Sequence, residues 1–186
     1  MNFVEPIRDI EVLEDIQRFL KHKEMRDYAL FLLGIYTGLR VSDILKLKVK
    51  DVRNQKHIVI KEKKTKKAKR IPIHPMIKKG LKQYLEGKPS DEYIIKSRKG
   101  MNKPISRERA YVILQEVADH FEIDCIGTHS MRKTFGYHYY QTTKDIATLQ
   151  TIFNHSKPEY TLRYIGISQD SIDRAYYSFS YKKKAN

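Results

Sequence analysis

The stretch Thr37-Gly38-Leu39-Arg40-Val41-Ser42-Asp43-Ile44-Leu45-Lys46-Leu47 decides the fold of this chain. It follows an almost wholly apolar segment, Glu24 to Tyr36, whose pattern predicts a core helix. Gly38 lies where a left-handed C-terminal cap is expected. Ser42 can cap a short third helix, Asp43 to Leu47. Arg40, between the two helices, has no obvious solubility role, and its guanidinium fork can point into a cleft.

Helical periodicity dominates on both sides of this stretch. Upstream, apolar residues recur at helical spacing from Asp9 to His22, and Asp9 is placed to cap that helix. Downstream, the predicted helices are Pro75 to Glu86 closed by Gly87, Ser106 to Phe121, Thr128 to Tyr140, Lys144 to Phe153 and Ser168 to Phe179.

Three short segments have the alternation typical of strands. His57 to Ile60 and Arg70 to Ile73 predict a β-hairpin, in which Pro72 restricts its strand to an edge. Tyr93 to Ile95 is a candidate third strand. We therefore expect one α+β domain over residues 1–186, mainly helical, with a small three-stranded antiparallel sheet.

The composition favours a polyanionic partner. The 186 residues contain 37 Lys and Arg against 22 Asp and Glu, which gives a formal net charge of +15. Such an excess neutralises phosphates and releases counterions, so nucleic acid is the leading partner. A solubilising or membrane-surface charge is the alternative.

The sequence has no apolar run long enough to span a bilayer, and its N-terminus lacks an apolar signal core. We therefore expect a cytoplasmic protein without a membrane partner. Cys125 is the only cysteine, which excludes an intrachain disulfide and a multi-cysteine zinc site. If Cys125 is structural, it should be a small buried apolar residue.

The predicted hairpin carries a dense basic run. Between Lys61 and Arg70, seven of ten residues are Lys or Arg. A protruding basic tip suits a DNA groove, although a solvated turn or a targeting patch has the same composition.

Two further features contain residue types that handle phosphate. His129 and Arg132 share one face at the start of a predicted helix, where backbone dipoles favour an anion. A His-x-x-Arg pair alone is common by chance. Asn154-His155-Ser156 ends another predicted helix and precedes Tyr164, which is one of 13 tyrosines and alone indicates little.

Taken together and in order, these motifs resemble the tyrosine recombinase, or phage integrase, family. The resemblance rests on residues 37–47, the hairpin lysines before Ile71-Pro72, His129-Ser130-Met131-Arg132, Asn154-His155-Ser156 and Tyr164. It implies that Arg40 and Arg132 clamp the phosphate, Lys64 is the general acid, His129 and His155 are supporting imidazoles, Tyr164 is the nucleophile, and Asp43 buttresses the site.

Lys64 is preferred because it lies eight residues before Pro72, the interval usual in the family, and Lys66 is the second choice. The other expected DNA contacts are basic: Lys61, Lys63, Lys66, Lys67, Lys69, Arg70 and Lys133.

The resemblance implies site-specific breakage and rejoining of double-stranded DNA, in integration or excision. Attack by the phenol would form a 3′-phosphotyrosyl link and free a 5′-hydroxyl, without a metal or cofactor. Self-association as a dimer or tetramer on DNA is expected. The tail, residues 165–186, would dock either on a neighbouring protomer or on its own core.

Two features depart from the family pattern. Asn154 stands where glycine usually precedes the second histidine, and the chain starts at the catalytic domain, without the helical clamp domain usual before it. Two other functions therefore stay open: a DNA-binding regulator that performs no strand exchange, and a topoisomerase-like nicking and closing enzyme.

Overall fold

A computed structural model describes residues 4–61 and 68–178, which form a mainly helical fold with a two-stranded sheet. The elements are α1 Ile10–Lys23, α2 Met25–Thr37, α3 Val41–Ile44, α4 Val49–Val52, β1 His57–Lys61, β2 Ala68–Pro72, α5 Pro75–Leu85, α6 Arg107–His120, α7 Ser130–Thr143, α8 Ile146–Phe153, α9 Pro158–Tyr164 and α10 Ile167–Ser178.

Capping residues fix several of the predicted helix ends. The Asp9 carboxylate accepts hydrogen bonds from the amides of Glu11 and Val12 at the start of α1. Gly38 ends α2 with a φ of 62°, in the left-handed region that glycine occupies without strain. The element order and these helix ends confirm the predicted mainly helical α+β fold.

The short helix after Arg40 is displaced from its predicted position. It spans Val41–Ile44, with Arg40 as its N-cap residue, so the predicted Ser42 cap and the bounds Asp43 to Leu47 are wrong. The seven-residue α9, which begins at Pro158 and ends at Tyr164, was not predicted at all. Its polar sequence has too few turns to establish a helical period.

The third strand is also wrong. In the described residues, β1 pairs only with β2, in an antiparallel register that runs from His57 opposite Pro72 to Lys61 opposite Ala68. Tyr93 forms an isolated bridge with Lys48, and the Ile94 amide donates to the Leu47 carbonyl. This segment is thus held by single hydrogen bonds and forms no ladder.

The buried side chains form two clusters, one on each side of α7. The larger, which we call the aliphatic core, surrounds α2 and includes Leu20, Leu30, Phe31, Leu33, Ile77, Leu114 and Met131. The smaller, which we call the aromatic cluster, buries Leu149, Phe153, Ile165 and Ile167 and is covered by half-buried rings, among them Phe135, Tyr139, Tyr140 and Tyr164.

Glycines allow α7 to approach both clusters. A Cβ on Gly34 of α2 would lie 2.6 Å from the Met131 sulfur, and one on Gly136 would lie 2.7 Å from the Phe153 ring. Neither position has room for a side chain. As a result, α7 is held between the two clusters.

Two other observations concern the composition. Cys125, expected to be buried if structural, is exposed in a turn with a φ of 59°. Within residues 4–61 and 68–178, no helix combines the length and the apolar character that crossing a bilayer requires.

Candidate active site

Arg132 lies at the centre of the site and joins the two clusters. Its side chain, on α7, donates one hydrogen bond to the Gly38 carbonyl after α2 and another, of 3.0 Å, to the Phe153 carbonyl at the end of α8. Its guanidinium carbon lies 4.2 Å from the centroid of the Phe153 ring. Burial lowers the pKa of Arg132 to about 10, which leaves it charged at neutral pH.

Tyr164, the last residue of α9, meets this arginine from the aromatic cluster. Its hydroxyl lies 3.2 Å from Nδ1 of His129. Burial raises the pKa of Tyr164, although the positive charges of Arg132 and Arg40 oppose the shift. The phenol is therefore protonated at neutral pH and requires a base to become a nucleophile.

His129 is positioned to be that base. It is the N-cap residue of α7, and its exposed ring stands edge-on to the Tyr164 ring. Burial against neighbouring atoms, together with the charges of Arg132 and Arg40, lowers its pKa. The ring is thus neutral at pH 7 and, with the proton on Nε2, accepts a hydrogen bond from the phenol at Nδ1.

His155 also contacts the Tyr164 ring. The centroids of the two rings are 5.2 Å apart, and Nδ1 of His155 lies 3.0 Å from the Thr161 hydroxyl. Burial lowers the pKa of His155 as well. Thr161 is buried in α9, so it orients the imidazole from within the helix that carries Tyr164.

The backbone conformation of Asn154 explains why asparagine can occupy the position that is usually glycine in the family. Asn154 ends α8 with a φ of 54°, a left-handed conformation that asparagine tolerates better than most residues. The His155 amide then donates to the Gln150 carbonyl at 3.0 Å, and the Gln150 side chain donates back to the His155 carbonyl at 3.0 Å. The helix end is therefore preserved.

Arg40 and Arg132 both line two small neighbouring cavities. One, of about 260 Å³, also contains Asp43 and Lys69, and the other, of about 150 Å³, also contains Arg107 and His129. Both are rich in cations and suited to a phosphate. Sequence reasoning missed Arg107, because nothing near Ser106 in the sequence places the start of α6 beside residue 40.

Asp43 lies beside this cationic group. It is half-buried, and its carboxylate is 3.6 Å from the Lys46 ammonium. Its negative charge favours the charged form of Arg132 and partly opposes the effect of burial on the pKa of that arginine. This placement is compatible with the predicted buttressing role.

The predicted basic contacts differ in their surroundings. Lys64, Lys63, Lys66 and Lys67 lie outside the described residues. Lys61 and Arg70 are exposed on the hairpin, whereas Lys69 is half-buried and donates to the Ile152 carbonyl.

Lys133 does not fit its predicted role as a DNA contact. Only 9% of it is exposed, and its ammonium donates to the Val4 carbonyl at 2.6 Å. A side chain that points into the protein cannot form an ion pair with a phosphate in solution without leaving this position.

Comparisons with known proteins find a matching family and similar proteins. A family model described as the phage integrase family matches residues 9–170. The chain is 49% identical over 179 residues to a probable integrase/recombinase, YoeC, of Bacillus subtilis (strain 168), and the match covers 96% of this chain and 98% of that protein.

Solved structures share the fold. The crystal structure of XerA recombinase superposes with a TM-score of 0.73 at 18% identity, over 96% of this chain and 66% of that chain. XerH site-specific recombinase, bound to its palindromic difH substrate after cleavage, superposes with a TM-score of 0.72 at 19% identity, over 94% of this chain and 53% of that one. The chain thus spans between about half and two thirds of these two recombinases.

Proposed function

The chain belongs to the phage integrase family, and on that premise we propose that it is a site-specific tyrosine recombinase whose nucleophile is Tyr164. One observation carries the assignment: α7 and α9 bring the Tyr164 hydroxyl within 3.2 Å of His129, beside the buried Arg132. Of the 13 tyrosines, Tyr164 is the one predicted from the sequence motifs.

The proposed reaction is an in-line phosphoryl transfer. The phenol oxygen attacks the scissile phosphate while His129 accepts its proton, and the 5′-oxygen leaves as the 3′-phosphotyrosyl bond forms. Arg40 and Arg132 bind the nonbridging oxygens and stabilise the charge of the pentacoordinate transition state. Attack by the 5′-hydroxyl of another strand reverses these steps and rejoins the DNA.

The remaining roles stay predictions. Lys64 is the proposed general acid that protonates the leaving 5′-oxygen, and His155 supports the transition state. Asp43 orients the arginine pair. The exposed Lys61 and Arg70 bind the DNA backbone at the hairpin, together with Lys63, Lys66, Lys67 and Lys69.

We also propose that two or more protomers act together on DNA. The palindromic substrate of XerH has two equivalent halves, which suits a symmetric pair of subunits. In α10, Ile172 is 49% exposed and Tyr176 is 81% exposed, so this helix offers an apolar face for docking. In this proposal, residues 1–186 form one catalytic domain, with a tail from residue 165. Because its substrate is DNA, we place the protein in the cytoplasm.

A nicked suicide substrate tests the proposal. The chain should form a covalent adduct with DNA that carries its attachment site, because loss of a short 5′-hydroxyl fragment prevents religation. Tyr164→Phe should form none. Tyr160→Phe is the matched control, since Tyr160 is exposed in the same helix and should leave adduct formation unchanged.

Other results would contradict the proposal. Salt-sensitive binding to the verified site by both proteins, with no adduct from either, would indicate a regulator. Relaxation of supercoiled DNA without a recombinant product would indicate a topoisomerase-like enzyme. Adduct formation in the presence of EDTA is expected, and an absolute requirement for Mg²⁺ would overturn the predicted metal independence.

A further inference from the structure

The N-terminal segment, residues 4–8, lies against α7, and we call it the N-terminal strap. The Ile7 amide donates to the Thr134 hydroxyl at 2.9 Å, and the Ile7 carbonyl accepts from Nε2 of His138, also at 2.9 Å. Ile7 is buried. The strap is thus hydrogen-bonded to two successive turns of α7.

The strap also holds a cation against the nucleophile. Lys133 follows Arg132 on α7, and its buried ammonium donates to the Val4 carbonyl of the strap at 2.6 Å. The same ammonium lies over the Tyr164 ring, 5.3 Å from its centroid. A cation within about 6 Å of an aromatic face is attracted by the ring, and burial strengthens this attraction.

A second contact reaches the chain just after the nucleophile. Arg8 donates to the Glu5 carboxylate at 2.7 Å and to the Asp170 carboxylate of α10 at 3.0 Å. Gly166, which separates α9 from α10, packs against Arg8: a Cβ at this position would lie 2.7 Å from the guanidinium. The strap therefore fixes both the ring of Tyr164 and the chain that follows it.

We propose that Lys133 is a positioning residue that orients the Tyr164 ring, and that the N-terminal strap keeps Lys133 and the α9–α10 junction in place. The proposal rests on the proposed function, because ring orientation matters only if the phenol attacks DNA. In-line attack tolerates little misplacement, so loss of the buried ammonium should slow the reaction without weakening DNA binding. Lys133 acts through Tyr164 and touches no DNA.

The first test replaces the ammonium and keeps the length of the side chain. Lys133→Met should lower the single-turnover rate of adduct formation at saturating DNA by about tenfold. The DNA concentration at half-saturation should change by less than about twofold. Lys144→Met is the matched control: Lys144 is the C-cap residue of the same helix, and its ammonium lies over a different ring, 5.4 Å from the centroid of Tyr140, so this variant should retain the wild-type rate.

The second test changes the strap at a partly exposed position, where folding is less at risk. Arg8→Gln should lower the saturating rate several-fold, because it removes the ion pair with Asp170. If the strap and Lys133 act together, the double variant should be slower than wild type by less than the product of the two single effects. All rates are compared well below each variant's unfolding midpoint.

The outcomes separate this inference from the proposed function. If the wild-type chain forms no adduct on its verified site, the proposed function fails. If the wild type forms an adduct and Lys133→Met matches its saturating rate, only the positioning role is overturned. An effect confined to the half-saturating DNA concentration, with a weaker salt dependence, would overturn it too and assign Lys133 to DNA contact.

Discussion

The aliphatic core and the aromatic cluster lie on opposite sides of α7 but are built differently. Residues from α1, α2, α5 and α6 fill the aliphatic core, whereas the aromatic cluster has four buried residues within 4–61 and 68–178. The first supports Arg40 and the backbone that receives Arg132. The second carries His155 and Tyr164. The phosphate clamp is thus supported by the extensive aliphatic core, whereas the nucleophile packs against the smaller aromatic cluster.

This difference suits the proposed reaction. A phosphate clamp has to be preorganised, since its contribution depends on dipoles and charges that need not move during the reaction. A nucleophile has to attack, remain bonded to DNA and be released, and a small buried cluster opens locally at a lower cost than an extensive core does. Arg132 joins the two regions, because it donates to carbonyls at the edge of each.

The largest effect is expected where the two regions meet. Arg132→Met should lower the rate of adduct formation by about 10³-fold, because it removes a preorganised cation and leaves the Gly38 and Phe153 carbonyls without their donor. Single-turnover cleavage measures it. Arg26→Met serves as the control: it unpairs the buried Asp27 beside the aliphatic core, so it should lower stability and leave the cleavage rate of the folded protein intact.

A matched pair of substitutions compares the two regions directly. Phe31→Leu in the aliphatic core and Phe153→Leu in the aromatic cluster should each lower the free energy of unfolding by about 1–2 kcal/mol. Only Phe153→Leu should also slow adduct formation, by about tenfold, because its ring contacts Arg132, His155 and Tyr164.

Urea unfolding and single-turnover cleavage give the two quantities. Equal cleavage rates for the two leucine variants would show that the aromatic cluster has no special part in the reaction.

A smaller effect is expected at the end of α8. Asn154→Ala should cost about 1 kcal/mol of unfolding free energy, since alanine tolerates a φ of 54° less well than asparagine does. Asn154→Gly should be neutral or slightly stabilising at the same position. Thermal unfolding compares them, and equal losses from both variants would contradict an explanation based on backbone conformation.

The smallest effect concerns pH. The proposed base must be neutral, and burial with nearby cations lowers the pKa of His129 below its ordinary value of 6.5. Cleavage should therefore decline as pH falls, because the imidazole becomes protonated, with a midpoint below about pH 6.5. In Arg40→Gln, which removes one of these cations, the normalised decline should begin at a higher pH. A midpoint that is unchanged or lower would contradict the assignment of His129.

The two regions also differ in how well the sequence predicted them. In the aliphatic core, long apolar helices and their caps, such as Asp9 at α1 and Gly38 at α2, indicated both the elements and their ends. Around the nucleophile, α9 was missed, because its seven mostly polar residues are too few to establish a helical period. A third strand at residues 93–95 was predicted from β-branched side chains. Ile94 and Ile95 are instead buried in the interior, and the segment pairs with no strand in the described residues.

Within the site, the motifs predicted the residues but could not describe their surroundings. Arg40, His129, Arg132, His155 and Tyr164 were named from ordered motifs, and the structure brings them together. Lys133 was grouped with the expected DNA contacts. Its burial under the N-terminal strap depends on Val4, 129 positions away in the chain.

The sequence by itself determined the helical character of the chain and its excess of positive charge, because these depend on local periodicity and on composition. The site residues came from the resemblance of its ordered motifs to those of the family. The tertiary structure alone decided which cations face the cavities and which face the protein interior. It also decided that His129 meets Tyr164 across 35 positions of chain. The physical reason is that burial and mutual distance, which set pKa values and ring orientation, arise only when α7 packs between the two clusters.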